Sequence, residues 1–269
     1  MKIHKTAMVS KKAKIAKDVE IGPYVIIEDD VEIGSGAKIG HGSYICSGTT
    51  ISKNCKIYNN VTLGGEPQDV AYKPVRSFLK IGDRNTFREY VTVHRGTKRG
   101  SSTVIGDDNY FMALSHVAHN CRIHNNIVLC NNALLAGYVE VEDRAFISGN
   151  ATVHQFVKIG TMAMVGGGVR VIKDIPPFML AKEEGVVNFY NIVGLKRAGL
   201  PVAIRKEIRE AYKILFLSGL NVTNAVNKIE KRLHSKEINH FVNFIRASKR
   251  GVCSGKKQFR AKFPLDRTG

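Results

Sequence analysis

The sequence predicts a mainly β protein, a parallel β-helix of hexapeptide repeats followed by a small α-helical domain. Three observations carry that expectation. Every sixth residue from Ile3 to Val171 is large and apolar: of 29 positions, 27 are aliphatic or Phe, the exceptions being Asp69 and Arg99. The position two residues earlier is small or β-branched, as at Ala13, Val19, Val25, Ala37, Ser43, Thr49 and Cys55. After Val171 the six-residue period stops and a helical one replaces it. A period of six fits neither an α-helix nor a half-buried strand. It is the signature of short strands stacked as coils, each sending one large side chain inward.

Three hexapeptides per coil give nine or ten coils, which at about 4.8 Å each make a prism roughly 45 Å long. Alternating large and small groups fill the narrow interior, so Cys55 and Cys121 are packing residues. Glycine follows the inward residue at Gly22, Gly34, Gly40, Gly64, Gly82, Gly106, Gly160 and Gly166, where it is expected to ease the turn between faces. The ladder fails at 65–79, around Asp69, and at 97–103, around Arg99. A charge is not buried unpaired in a dry core, so both segments are expected to be loops extruded from the scaffold. Asp174-Ile-Pro-Pro177 breaks regular structure. Beyond it, Ile204, Ile208, Ala211 and Leu215 share a helical face that Gly219 ends. Val222, Val226, Ile229 and Leu233 outline a second helix, and Ile238, Phe241, Val242 and Ile245 a third. The division is a β-helix over 1–190, a helical domain over 191–250 and a loosely ordered basic tail over 251–269.

Lys and Arg number 41 against 23 Asp and Glu, a net charge of +18. Such a surface attracts polyanions. No helix-turn-helix, finger or aromatic RNA-binding motif accompanies the charge, so nucleic acid is not the expected partner. An acidic protein, a phosphorylated small substrate or solubility alone would account for it. No apolar run is long enough to span a bilayer, and Met1-Lys-Ile-His-Lys-Thr6 is too polar for a secretory signal. Five dispersed cysteines without a CxxC pair predict reduced thiols in a cytoplasm.

The chemistry is expected in Ser115–Cys121, which holds His116 and His119. His119 lies two positions past the inward Val117 and is expected to point outward. Gly137 follows one coil, three hexapeptides, later. A base beside a bare backbone N–H fits acyl transfer, the base deprotonating a hydroxyl and the N–H stabilising the oxyanion. On pattern alone an idle surface histidine fits as well. A metal needs converging ligands, and His94, His116, His119, His124 and His154 offer no evident third partner, so no metal or cofactor is expected. Ser101 and Ser102 have no base at hand, and Gly166-Gly-Gly168 does not lead from strand to helix as a phosphate loop does.

The chain resembles the UDP-N-acetylglucosamine O-acyltransferases, which perform the first acylation of lipid A biosynthesis. The markers are Pro67-Gln-Asp69, Ile81-Gly-Asp-Arg-Asn85, Val93-His-Arg-Gly-Thr97, His116-Val-Ala-His119, Val153-His-Gln-Phe156, Asp174-Ile-Pro-Pro177 and Gly194-Leu-Lys-Arg197. The resemblance implies a left-handed β-helix, a homotrimer with active sites between subunits, and acyl carrier protein and UDP-N-acetylglucosamine as partners. It implies His119 as general base and Gly137 as the oxyanion N–H. It also implies Gln68, Asp69 and His116 as substrate contacts, His154, Gln155, Asn191 and Arg197 as contacts to nucleotide, chain or partner, and Gly167 as the position that sets acyl length. Acyl carrier protein is acidic, which gives the positive charge a specific reason.

The sequence departs from the family in four places. Asn120 stands where the family has Asp after the catalytic His, and Tyr138 where it has His. The two are three hexapeptides apart, so they are expected as neighbours on adjacent coils. An amide cannot offset an imidazolium charge and puts the tautomer in question, although the related N-acyltransferase of the pathway resembles a His-Asn pattern. Gln68-Asp-Val-Ala71 replaces Gln-Asp-Leu-Lys, with Lys73 as the displaced lysine. Lys182-Glu-Glu-Gly185 replaces the Gly-Asn segment after the two prolines. Two alternatives follow: acylation of a 3-amino nucleotide sugar, and a catalytically silent paralogue that binds carrier protein or sugar nucleotide.

Overall fold

The computed structural model describes residues 2–255. The hexapeptides form a left-handed parallel β-helix. Two-residue strands such as Lys2–Ile3, Met8–Val9 and Lys14–Ile15 succeed one another on three faces. Each strand pairs in parallel with the strand one coil on, Ile3 with Ile21 and Ile15 with Ile33. The inward residues from Ile21 onward are buried, and so are the companions Val19, Val25, Ala37, Cys55, Cys121 and Ala133. Each fully buried aliphatic side chain contributes about 1.5–3 kcal/mol. Phe87 and Phe111 stack in the core with ring centroids 4.6 Å apart.

Register explains why the ladder keeps its phase through both loops. Core partners are normally three hexapeptides apart, as Ile39 and Ile57 are. Ile57 pairs instead with Phe87, five hexapeptides on, and Phe87 with Phe111, four on. The insertions are therefore two hexapeptides and one. Their displaced rungs are Asp69, Val75 and Arg99. Val75, which sequence numbering puts on the ladder, lies half-buried in a loop instead. The first loop spans 66–77 between the strands Thr62–Gly65 and Phe78–Ile81; the second spans 95–101 between Thr92–His94 and Ser102–Ile105. Both leave the same corner of the prism. They also bond to each other, Gly100 N–H donating to the Arg76 carbonyl (2.9 Å) and Phe78 N–H to the Ser101 carbonyl (3.0 Å).

Apart from Gly64, whose φ of 81° is left-handed as expected, the glycines after the inward residue serve a different purpose from the one expected. Their φ is ordinary at Gly22, Gly34, Gly40, Gly82, Gly106 and Gly160, but a Cβ there would press on the next coil. At Gly160 it would lie 2.7 Å from Pro177 Cα. The left-handed corner comes two residues later. Gly36, Gly42, Gly48 and Gly168 occupy it, as do Asn54, Asn126, Asn120 and Tyr138 with φ near 60°. Asparagine tolerates that region better than most side chains, while tyrosine is there under strain.

Past Val171 the chain bridges once more, Ile175 to Ile159, then turns back as the hairpin Met179–Glu183 and Val186–Tyr190. Helices α1 (Ile192–Arg197), α2 (Val202–Leu217), α3 (Val222–Arg232) and α4 (Lys236–Ala247) follow. Asn191, Asn221 and Ser235 cap α1, α3 and α4 through their side chains. Of the expected apolar faces, Ile208, Ala211, Leu215, Val226, Ile229, Ile238, Phe241, Val242 and Ile245 are buried, whereas Val222 is exposed at the start of α3. The helices are clamped to the β-helix by polar contacts. His240 Nε2 meets Glu142 Oε2 at 2.8 Å, and Ser248 Oγ donates to the buried Asp174 carboxylate at 2.6 Å. Asp174 is thus an anchor as well as a breaker. Residues 251–255 are tied down, contrary to the expectation for the tail: Cys253 is buried, and Ser254–Gly255 pairs with Val186 and Val187. The remaining tail, with Lys256, Lys257, Arg260, Lys262 and Arg267, lies outside the described residues.

One acid-sensitive contact sits on the third face. Glu140 bonds His124 (3.4 Å) and Lys158 (2.9 Å), and these partners, His124 foremost, hold its carboxyl down at about 2. A depressed carboxyl stabilises the fold above its ordinary range and loses that contribution as pH falls through about 2. Glu140→Gln is therefore expected to lower the melting temperature by roughly 2–4 °C at pH 7. The gap should close toward pH 2; a gap that stayed constant in thermal melts across that range would exclude the contact as its source.

Candidate active site

His119 and Asn120 sit at the corner from which both loops emerge on earlier coils. His119 points away from the interior as expected but is buried, with 6% of its surface exposed; Thr97 of the second loop meets Asn120 beside it, and Gln68 of the first lines the same cavity. The next coil passes beneath the ring. A Cβ on Gly137 would lie 2.7 Å from Nε2, 3.0 Å from Nδ1 and closer still to Cε1. Glycine is therefore required for the imidazole to rest on that backbone. At other corners the equivalent N–H is capped by a side chain, Asp107 for Asp83, Asn125 for Asp107 and Asp143 for Asn125. Among the described residues the Gly137 N–H has no acceptor.

Asn120 settles the tautomer. The Thr97 backbone N–H lies 3.0 Å from Asn120 Oδ1, and an N–H only donates, so the carbonyl side of the amide faces it. The same oxygen is 3.1 Å from His119 Nδ1, which must then carry its proton. Nε2 is left as the unprotonated nitrogen, the tautomer a general base needs; the amide still brings no charge to offset an imidazolium. Tyr138 stands one coil from Asn120, its ring edge-on to His119 at 5.4 Å and stacked on Phe156 at 4.9 Å.

A cavity of about 320 Å³ opens here, lined by Gln68, His116, His119, Gly137 and Gln155 among others. His116 Nδ1 pairs with Thr92 Oγ1 (2.7 Å), and burial, with His119 nearby, pushes its basicity down. His94 stands edge-on to His116 at 4.9 Å; burial, then His116 and His119, push it down to about 4. Two imidazoles of lowered basicity thus neighbour His119.

The other expected site residues lie elsewhere on the single chain. Asn191 and Arg197 line a second cavity of about 540 Å³ with Arg144, Lys182 and Tyr190. The Asn191 amide is already engaged, accepting from Gly194 N–H (3.0 Å) and donating to the Met162 carbonyl (2.9 Å). Asp69 closes its own loop by accepting from Ala71 N–H (2.9 Å), and Lys73 and His154 are exposed. Gly167 is exposed too, and a Cβ there would meet nothing nearer than 3.4 Å. Ser101 Oγ closes the second loop on the Lys98 carbonyl (2.7 Å). Among the described residues no group of three or more His, Cys, Asp or Glu is arranged to hold a metal. Thr97 is the residue that the sequence did not single out. It lies 23 positions from Asn120, off the one-coil spacing that revealed Tyr138.

Comparison with known proteins agrees with this geometry. The bacterial transferase hexapeptide pattern matches residues 30–65 and 102–137, and the pattern described as UDP-N-acetylglucosamine O-acyltransferase, domain 2, matches 174–253. The acyl-[acyl-carrier-protein]–UDP-N-acetylglucosamine O-acyltransferase of Gloeothece citriformis is 39% identical over 75% of each chain; that of Burkholderia orbicola is 40% identical over 75% of this chain and 80% of its own. Among solved structures, the UDP-N-acetylglucosamine acyltransferase of Francisella novicida superposes with a TM-score of 0.91 at 34% identity, covering 96% of both chains. The Bacteroides fragilis enzyme gives 0.90 at 39% identity, covering 93% of this chain and 99% of that one. Solenoid and site together define an acyltransferase of the hexapeptide-repeat class. Within that class, the chain belongs to the acyl-[acyl-carrier-protein]–UDP-N-acetylglucosamine O-acyltransferase family.

Proposed function

We propose that this chain transfers an (R)-3-hydroxyacyl group from acyl carrier protein to the glucosamine 3-position of UDP-N-acetylglucosamine, the first step of lipid A biosynthesis. The observation that carries the proposal is the buried imidazole of His119, its Nδ1 facing the Asn120 carbonyl oxygen and its ring packed against Gly137, whose N–H has no acceptor among the described residues. Nε2 takes the proton of the sugar hydroxyl as that oxygen attacks the thioester carbonyl. The Gly137 N–H receives the oxyanion, and the imidazolium returns its proton to the departing thiolate. Gln68, His116 and Gln155 are placed to contact substrate in the same cavity.

The β-helix over 1–190 carries the chemistry, and the helical domain over 191–250 serves nucleotide and carrier protein through Asn191 and Arg197. Those two residues occupy a different cavity from His119 on one chain, which supports a homotrimer whose sites lie between copies. Asp69, Lys73, Tyr138 and His154 complete the substrate contacts in that reading, and Gly167 bounds the acyl groove. The positive charge favours an acidic carrier protein. The reaction belongs in the cytoplasm, in keeping with five unpaired cysteines; among the described residues no helix is long and apolar enough to cross a membrane.

A second reading rests on Asn120. Among the described residues no carboxylate partners His119, and an amine nucleophile needs less help from a base than a hydroxyl, so a 3-amino nucleotide sugar fits the same site. Initial rates with UDP-N-acetylglucosamine and its 3-amino analogue, each with hydroxyacyl carrier proteins of several lengths, decide between them. Turnover on neither sugar would leave a binding paralogue.

Asn120→Asp supplies the missing carboxylate. An opposite charge beside the imidazolium stabilises it as the proton is taken up, so kcat on the hydroxyl sugar is expected to rise several-fold. A fall in kcat would show that the site is built around the amide.

A further inference from the structure

The amide that orients His119 is itself held by a residue from the second loop. Thr97 contacts Asn120 Oδ1 twice, through its N–H at 3.0 Å and its hydroxyl at 2.9 Å. The hydroxyl also lies 3.1 Å from Tyr138 OH. Thr97 has one hydroxyl hydrogen, and a carbonyl oxygen cannot donate, so that hydrogen points to Asn120. Tyr138 must then donate to Thr97 Oγ1. A directed chain results: Tyr138 O–H to Thr97 Oγ1, Thr97 O–H to Asn120 Oδ1, with His119 Nδ1–H meeting the same oxygen from the other side.

We propose that Thr97 is a positioning residue for the base, its hydroxyl joining the two groups that flank the His119 ring, the Asn120 amide and the Tyr138 phenol. This rests on His119 acting as the base. Without the hydroxyl the Thr97 N–H still turns the amide oxygen the right way, so the tautomer survives. The Tyr138 phenol loses its acceptor, and its ring, edge-on to the imidazole, loses the bond that fixes it. Each donor in such a chain strengthens the next, so the Tyr138 and Thr97 hydroxyls act as one unit.

The chain of hydrogen bonds joins Asn120 and Tyr138, the two positions at which the sequence is expected to depart from the family. A neutral amide and a phenol need a hydroxyl between them to pass one hydrogen along. Thr97 sits where the displaced hexapeptide begins, and Ser101 closes that loop independently on the Lys98 carbonyl. The Thr97 side chain is therefore free of loop-closing duty.

The test is steady-state kinetics of Thr97→Val, Thr97→Ser, Tyr138→Phe and the Thr97→Val/Tyr138→Phe pair, using hydroxyacyl carrier protein and the better nucleotide sugar. Thr97→Val is expected to lower kcat about tenfold with KM unchanged, the effect of one lost hydrogen bond. Thr97→Ser should stay within about threefold of the parent, because the hydroxyl returns. Tyr138→Phe breaks the chain from its other end without touching the loop and should match Thr97→Val in kcat, whatever its KM. The double variant should be no slower than the slower single one. A Thr97→Val enzyme at parental kcat, a Thr97→Ser enzyme as slow as Thr97→Val, or fully additive losses would each overturn the proposal. His119→Ala measured alongside separates the two claims: a parental rate there removes the base itself, whereas a dead His119→Ala with an unaffected Thr97→Val removes only the role of Thr97.

Discussion

His119→Ala is expected to lower kcat by about 10³-fold while leaving the fold and KM nearly unchanged. A positioned general base contributes about 10²–10⁴-fold, and this imidazole is held more tightly than an exposed one. Its Nδ1 is bonded to Asn120, its Cε1 and both nitrogens pack against Gly137, and its ring meets Tyr138 edge to face. Alanine removes the proton acceptor and leaves the Gly137 N–H, so the residual rate measures what the oxyanion donor and substrate binding supply alone. The strands on either side, His116–Val117 and Arg122–Ile123, keep their pairing because position 119 lies in a corner. Parental turnover by this variant would remove His119 from the mechanism.

Gly137→Ala is expected to cost about 10²-fold in kcat for a different reason. Position 137 has an ordinary φ, so alanine brings no backbone strain there. Its methyl group would fall 2.7 Å from Nε2 and 3.0 Å from Nδ1, the reactive side of the ring. The imidazole must move or the coils must part, and displacement of a reacting group by about 1 Å costs on the order of 10²-fold. The N–H remains, so the loss reports the position of the base and not the oxyanion donor. Single-turnover rates and thermal melts together check this. Near-parental single-turnover chemistry would mean that the ring does not need its place on the glycine, and a collapse of the melt would assign the loss to stability.

Much of this was readable in the sequence because a solenoid converts spacing into neighbourhood. One coil is three hexapeptides, so Asn120 and Tyr138, or His119 and Gly137, could be paired by subtraction. Subtraction stops working where chain leaves the coil. Thr97 and Asn120 are 23 apart, and Val75 kept ladder numbering only because the insertion is a whole number of hexapeptides. The burial of His119 was equally hidden, since the loops beside it have no period. The glycines after the inward residue were legible as a pattern but not as a cause: turn chemistry and close coil approach both select glycine, and only the backbone angles tell them apart. Asn191 was expected to face ligand, and the sequence carried no sign that both ends of its amide already hold α1 and the Met162 carbonyl.

The two loops, two hexapeptides and one, together hold one coil's worth of chain. Wound into the solenoid, those residues would have made the prism about 4.8 Å taller and left the corner of His119 bare. Extruded instead, they exchange height for a roof, and the same stretch of chain that would have added one more identical storey gives one corner an inside.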